Sequence, residues 1–190
     1  MNGLFVRADH TIASDCVGVI KETVNTYGRV DGLFNNAGVV MQGNAENTSE
    51  EDWNYCFALN VTAVWRMCKL CLPELRKVDG GVIVNNSSDW GVVGAKNACA
   101  YATSKGAIIQ MTKCLALDYC RDKVRVNVVC PGDTFVQRWV TEGYYQGSGA
   151  VSEEECLLQM KEGGRGKWRS TPCNYYTCEI SLLKRSYAYE

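Results

Sequence analysis

From Gly81 to Lys105 the chain runs GVIVNNSSDWGVVGAKNACAYATSK. The apolar run Val82-Ile83-Val84 lies between glycines and Asn85-Asn86-Ser87-Ser88. That pattern predicts a buried strand delivering polar side chains to a sheet edge. Tyr101 follows Ser88 by thirteen residues and Lys105 follows Tyr101 by four, in a segment that then reads as helix. A spacing of four places phenol and ammonium on one helix face, one turn apart. A cation beside a phenol stabilises the phenolate and lowers its pKa from a reference near ~10. A tyrosine tuned in that way donates or accepts a proton near neutral pH. Tyr101 is therefore an acid/base candidate, and Lys105 the group expected to depress its pKa.

Outward from this stretch the chain alternates strands and helices. Leu4–Ala8 reads as a strand leading to Asp9. Ser14 is a candidate cap for a helix whose Val17, Ile20, Val24 and Tyr27 face the core, with Gly28 as its stop. Gly32-Leu33-Phe34 predicts another strand, ending in Asn35-Asn36-Ala37-Gly38. Small residues at a strand's carboxyl end let a ligand approach the backbone closely. Thr48 and Glu51 form a capping box for a long helix to about Arg76, interrupted near Asn60 and carrying Pro73. Its buried side reads as Trp53, Phe57, Val61 and Val64. The helix from Tyr101 continues through Ile108, Met111 and Leu115 to about Tyr119. A strand over 124–129 then ends at Pro131-Gly132-Asp133-Thr134.

Ser88, Tyr101 and Lys105 at these spacings, with Asn35–Gly38, Asn60 and Pro131–Thr134 in order, resemble the short-chain dehydrogenase/reductase family from about Phe5 to about Gly149. The resemblance implies an α/β fold with a Rossmann-like doubly wound parallel sheet. It also implies an oxidoreductase dependent on NAD or NADP that moves a hydride between nicotinamide and a small-molecule carbonyl or secondary alcohol. In that scheme Tyr101 is the general acid/base and Lys105 also holds the nicotinamide ribose. Ser88 orients the substrate oxygen, and Asn60 holds a water that continues the proton relay. Asp9 would contact adenine, while Asn36, Ala37 and Gly38 line the adenosine side. Pro131 and Gly132 lead to Thr134, which would bind the carboxamide, and Phe135–Val151 would lie over the substrate. The helices over 50–76 and 101–119 imply a homodimer or homotetramer.

The chain departs from the family pattern at both ends. It carries no Gly-x-x-x-Gly-x-Gly and opens roughly at the family's third strand, so NAD and NADP are not distinguished. The expected sheet is incomplete, with the first two strands and the last strand not evident. In the order 3-2-1-4-5-6 the first two strands lie between the third and fourth. Leu4–Ala8 is then left without a neighbour, and Gly32–Asn35 becomes an exposed apolar edge. Residues 161–190 form a divergent tail on a single domain, 1–190. An alternative to the enzyme is a non-catalytic truncated remnant that acts only through subunit pairing.

Composition narrows the other classes. A length of 190 residues suits one domain, and 46% hydrophobic with 22% charged residues is ordinary globular usage. A net charge of −1 offers no case for nucleic acid or an anionic membrane. No apolar run approaches the ~18 residues of a membrane span, since Arg66 and Lys69 interrupt the longest. The first twenty residues lack a signal-peptide layout, so a cytoplasmic address is expected. Eleven cysteines, an odd count spread through regular segments, point to reduced thiols. Cys68 and Cys71 form one C-x-x-C inside a helical pattern, and His10 is the sole histidine. Neither a zinc site nor a Ser-His-Asp triad is expected.

Overall fold

The computed structural model describes residues 3–132 and the backbone of 175–178. In chain order the elements are α1 (Ala13–Tyr27), β1 (Gly32–Asn35), α2 (Glu50–Phe57), α3 (Ala63–Lys77), β2 (Gly81–Asn86), α4 (Cys99–Asp118), β3 (Val124–Pro131) and β4 (Tyr175–Cys178). A π-helical turn, Ala58–Thr62, joins α2 to α3. The sheet order is β1-β2-β3-β4. The first three strands are parallel, with Asn35 beside Asn85 and Asn85 beside Val128. This is the expected α/β fold with a parallel sheet. β4 departs from the expectation: it lies within the divergent tail and runs antiparallel to β3, with Tyr175 opposite Pro131.

Alternation along the strands divides the sheet into two faces. Ile83, Val124, Val126, Val128 and Cys130 are buried with Val64, Cys68, Cys71, Leu72 and Leu75 of α3 and with Ile108 and Ala116 of α4. Ile20 and Val24 of α1 pack against the same core. Burying a side chain such as Leu75 or Ile83 is worth about 1.5–3 kcal/mol, so this layer supplies the main driving force. At the polar end of that layer Asn35 Nδ2 donates to Asn85 Oδ1 at 2.8 Å, and Asn85 Nδ2 donates to Thr112 Oγ1 at 2.9 Å. On the opposite face Gly32, Phe34, Val82, Val84 and Val129 line a shallow apolar concavity. β1 is the sheet edge, and Phe34 is 59% exposed, as the edge-strand reading anticipates.

Several local expectations are corrected. Leu4–Ala8 is not a strand, because no neighbouring strand takes up its backbone groups among the described residues. Ser14 lies inside the first turn of α1, which starts after Ile12 with no side-chain cap. Of the four residues assigned to the core face of α1, Tyr27 is exposed, while Cys16 is the fully buried one. The helix does stop at Gly28, with φ at 76°. α2 is capped by Ser49, whose Oγ accepts from Asp52 N at 3.0 Å, and not by the Thr48–Glu51 pair. Trp53 is exposed and stacks on Phe57 with centroids 4.7 Å apart. Val64 is buried as expected, and Cys56, Asn60, Ala63, Met67 and Cys68 make up the rest of that side in place of Trp53, Phe57 and Val61.

No helix among the described residues is long and apolar enough to cross a membrane. Cys68 and Cys71 are free, buried thiols, pushed by that burial up to about 12 and about 11. At those values both remain protonated packing groups.

Candidate active site

The site lies at the carboxyl ends of β1, β2 and β3, where open α/β sheets place their ligands. After β2 the chain passes through Ser87, whose amide donates to Val129 O at 2.8 Å and whose Oγ donates to Lys105 O at 2.7 Å. Ser88 follows in extended conformation and caps a short turn, Asp89–Gly91, accepting from Trp90 N at 3.2 Å. Gly91 is the contact on which this turn rests. A β-carbon there would stand 2.7 Å from the Lys105 carbonyl carbon and 2.9 Å from Ser87 Oγ, so no side chain fits. The turn thus lies flat on α4. The first turn of α4 is fixed in its turn by Gly43, which accepts from Cys99 N at 3.0 Å and donates to Asn97 O at 2.8 Å.

These constraints bring Ser88, Tyr101 and Lys105 together. The Ser88 side chain lies close enough to the Tyr101 phenol to act on its ionisation. Trp90 meets the Tyr101 ring edge-on at 6.0 Å. The Lys105 ammonium, on a residue only 5% exposed, lies over the same ring at 5.6 Å and donates to Asn86 O at 2.8 Å. Burial brings its pKa down from 10.5 to about 8. The Tyr101 phenol moves the other way from the expectation: burial raises its pKa, the neighbouring Ser88 hydroxyl works against that, and the nearby Asp89 and Cys56 side chains add to the rise. The correction has a simple geometric cause. The ammonium faces the ring and a backbone carbonyl, so desolvation of the phenolate outweighs its attraction.

Asn60 occupies the π-helical turn, a local widening often found at functional sites. Its Oδ1 accepts from Val39 N at 2.8 Å, and its Nδ2 donates to Val39 O at 2.9 Å and to Ser104 Oγ at 3.0 Å. The side chain is therefore a clamp on the strip that follows β1. Within that strip a β-carbon on Gly38 would lie 3.0 Å from Asn60 Oδ1 and 3.6 Å from Lys105 Nζ, a close backbone approach that suits glycine.

Asn36, Ala37 and Gly38 are exposed at the end of β1. Asn86 Nδ2 donates to Asn36 Oδ1 at 2.8 Å, while Asn86 Oδ1 is buried with no hydrogen-bond partner. A buried acceptor left in that state costs about 1–3 kcal/mol, and a ligand hydroxyl would satisfy it. With Lys105 bonded to the same residue's carbonyl, this cradle fits the ribose of a nicotinamide dinucleotide. Pro131 and Gly132 close the site from β3, where a β-carbon on Gly132 would lie 3.6 Å from Asp89 Oδ2. Thr134 and Phe135–Val151 lie outside the described residues. Asp9 is exposed and engaged with its own loop, accepting from Thr11 N at 2.9 Å and Thr11 Oγ1 at 2.7 Å. Those bonds lower its pKa, the side-chain one most. Arg66 anchors that loop to α3 through His10 O and Thr11 O.

Sequence reasoning overlooked Asn86, Asp89, Ser104 and Cys56. Only the first two carried a usable signal, being polar neighbours of Ser88 at the end of a predicted strand.

The profile of the short chain dehydrogenase family matches residues 2–142. An uncharacterized oxidoreductase of Thermotoga maritima is 46% identical over 123 residues, covering 65% of this chain and 49% of the relative. This chain therefore spans about half the length of that protein. The structure of NAD+-bound xylitol dehydrogenase superposes with a TM-score of 0.71 at 31% identity, covering 82% of this chain and 62% of that one. The structure of ElxO with NADP bound gives 0.70 at 29% identity, covering 75% and 59% respectively.

Proposed function

This chain belongs to the short-chain dehydrogenase family, and from that premise we propose that it serves the NAD(P)-dependent interconversion of a small carbonyl compound and its secondary alcohol. The single observation that carries the reading is the meeting of Ser88, Tyr101 and Lys105 beside the Asn36–Asn86 cradle. When bound, the nicotinamide supplies or accepts the hydride. Asn36, Ala37, Gly38, Asn86 and Lys105 would hold the cofactor, with Pro131 and Gly132 closing the β3 side. Solved structures of the family with either NADP or NAD+ bound support that class of cofactor.

Tyr101 donates its phenolic proton to the substrate oxygen in reduction and receives one in oxidation. Its raised pKa keeps that proton in place at neutral pH in the ligand-free protein. Ser88 holds the substrate oxygen against the phenol, which is a positioning contribution. Lys105 keeps a positive charge next to the ring while the phenol gives up its proton, and Asn60 fixes the strip that walls the site. A water held near Asn60 would extend the proton path from Lys105. The test is Tyr101→Phe, assayed with NADH and NADPH against a ketone panel. Turnover should fall by about a hundredfold or more, while cofactor binding, followed by nucleotide fluorescence, stays within a factor of two. Equal turnover in both proteins would dismiss the assignment.

Subunit pairing belongs to the same reading. Trp65 and Leu117 are 46% and 66% exposed on α3 and α4. A groove between these helices is lined by Trp65, Leu72, Pro73, Leu115 and Tyr119 together with the cations Lys69 and Arg76. That mixed apolar and basic surface also supports the second reading, a chain that pairs without catalysing. Titration with NADH and NADPH separates the two: saturable micromolar binding belongs to the enzyme alone. A cytoplasmic setting is part of the same reading, in keeping with Cys16, Cys56, Cys68 and Cys71 as buried packing thiols.

A further inference from the structure

Asp89 stands where a substrate must bind, and nothing assigned so far uses it. The Ser88 hydroxyl has one proton, and it is donated to Asp89 Oδ1 at 3.0 Å. The oxygen of that hydroxyl already receives Trp90 N at 3.2 Å, and the Tyr101 phenol stands beside it. A carbonyl or alcohol oxygen entering between Ser88 and Tyr101 therefore meets a serine whose only donor is committed to a carboxylate. Bonds of that kind to a charged acceptor are stronger than neutral ones. Asp89 is partly exposed and forms no salt bridge among the described residues. Its second oxygen faces the side-chain-free edge of Gly132. Among the described residues this carboxylate thus has no cationic partner, and it sits directly beside Ser88.

We propose that Asp89 selects the substrate, favouring an alcohol or ketone that carries an ammonium group one or two carbons from the reacting oxygen. The cation would take up the carboxylate, free the Ser88 proton for the substrate oxygen and cancel the charge that opposes the phenolate. This rests on the hydride-transfer reading above for its meaning, but the geometry stands independently. The groups facing Tyr101 are Ser88 and Asp89 from the turn, Cys56 from α2 and Lys105 from its own helix. Of these, Asp89 is the partly exposed carboxylate that a cationic ligand would meet.

The probe is (2-hydroxypropyl)trimethylammonium, whose charge does not vary with pH, against its neutral isostere 4,4-dimethyl-2-pentanol. Tyr101 is followed in the full chain by NMR of ring-labelled tyrosine, its signal identified by loss in Tyr101→Phe. The cation should lower the proton affinity of Tyr101 about threefold or more, and the neutral alcohol should not. Asp89→Asn, shown folded by circular dichroism, should lower it without any additive and abolish the response to the cation. An unchanged Tyr101 titration in Asp89→Asn, or equal responses to the two alcohols, overturns the proposal. With NAD or NADP added, the parent should oxidise the cationic alcohol in preference, and Asp89→Asn should lose that preference. If neither alcohol is oxidised while the cation still shifts Tyr101, the hydride-transfer reading fails and the role of Asp89 survives.

Discussion

Lys105 is buried as an ammonium, and that burial, against modest help from Cys56 and Cys130, takes its pKa from 10.5 to about 8. The sign of the consequence follows from proton counting. Between those two values the unfolded chain holds a proton that the folded chain has lost, so stability rises with pH across that window. Below it both states are charged and the full burial cost, roughly 3 kcal/mol, is present. Lys105→Met should therefore raise the urea midpoint at pH 7. It should also flatten the rise between pH 8 and 10.5 that the parent shows. Urea melts at pH 7, 8 and 10 check this, and parallel curves for the two proteins would refute it. The convergence of Ser88, Tyr101 and Lys105 was legible from spacing, because four residues on a helix is a distance. The direction of the phenol's pKa was not, because it depends on which atom the ammonium faces.

At the scale of elements, the strands and long helices followed from period and apolar runs, but helix ends and faces did not always. Thr48–Glu51 and Ser49–Asp52 both satisfy a capping spacing, and the structure uses the second. Ser49→Ala should cost about 1 kcal/mol, read as a lower urea midpoint, with Thr48→Ala well under that. A larger effect at Thr48 would return the cap to the earlier position. The misplaced residues of the long helix, Trp53 and Phe57, lie in α2. The π-helical turn does not account for them, since both precede that turn and Val64 beyond it is buried as expected. A 3.6-residue period fits either neighbouring stripe of α2, and packing against α4 selects the one that holds Cys56. Trp53 and Phe57 kept the helical spacing but stack on the outside, while Cys56 and Asn60 turn inward. Leu4–Ala8 failed for a different reason: strand composition forms no strand without a partner edge.

Across the whole molecule, all helices of the core layer lie on one face of the sheet, and Phe34, Val82, Val84 and Val129 line the other among the described residues. This chain spans 49% of the length of its Thermotoga maritima relative. Among the described residues nothing covers that face or pairs with the outer edge of β1, and an apolar face beside such an edge favours self-association. Phe34→Lys should reduce light scattering of the purified chain at high concentration without lowering its thermal midpoint by more than a few degrees. Unchanged scattering would place the sticky surface elsewhere. The amide pair across β1 and β2 has a consequence at this scale too. Asn35 and Asn85 meet only when the two strands are aligned as seen. Sliding one strand by a single position turns its amide to the far side and strands the other among hydrocarbon, at about 1–3 kcal/mol for each orphaned group. The pair thus proofreads the alignment that assembles distant parts of the polypeptide around one phenol.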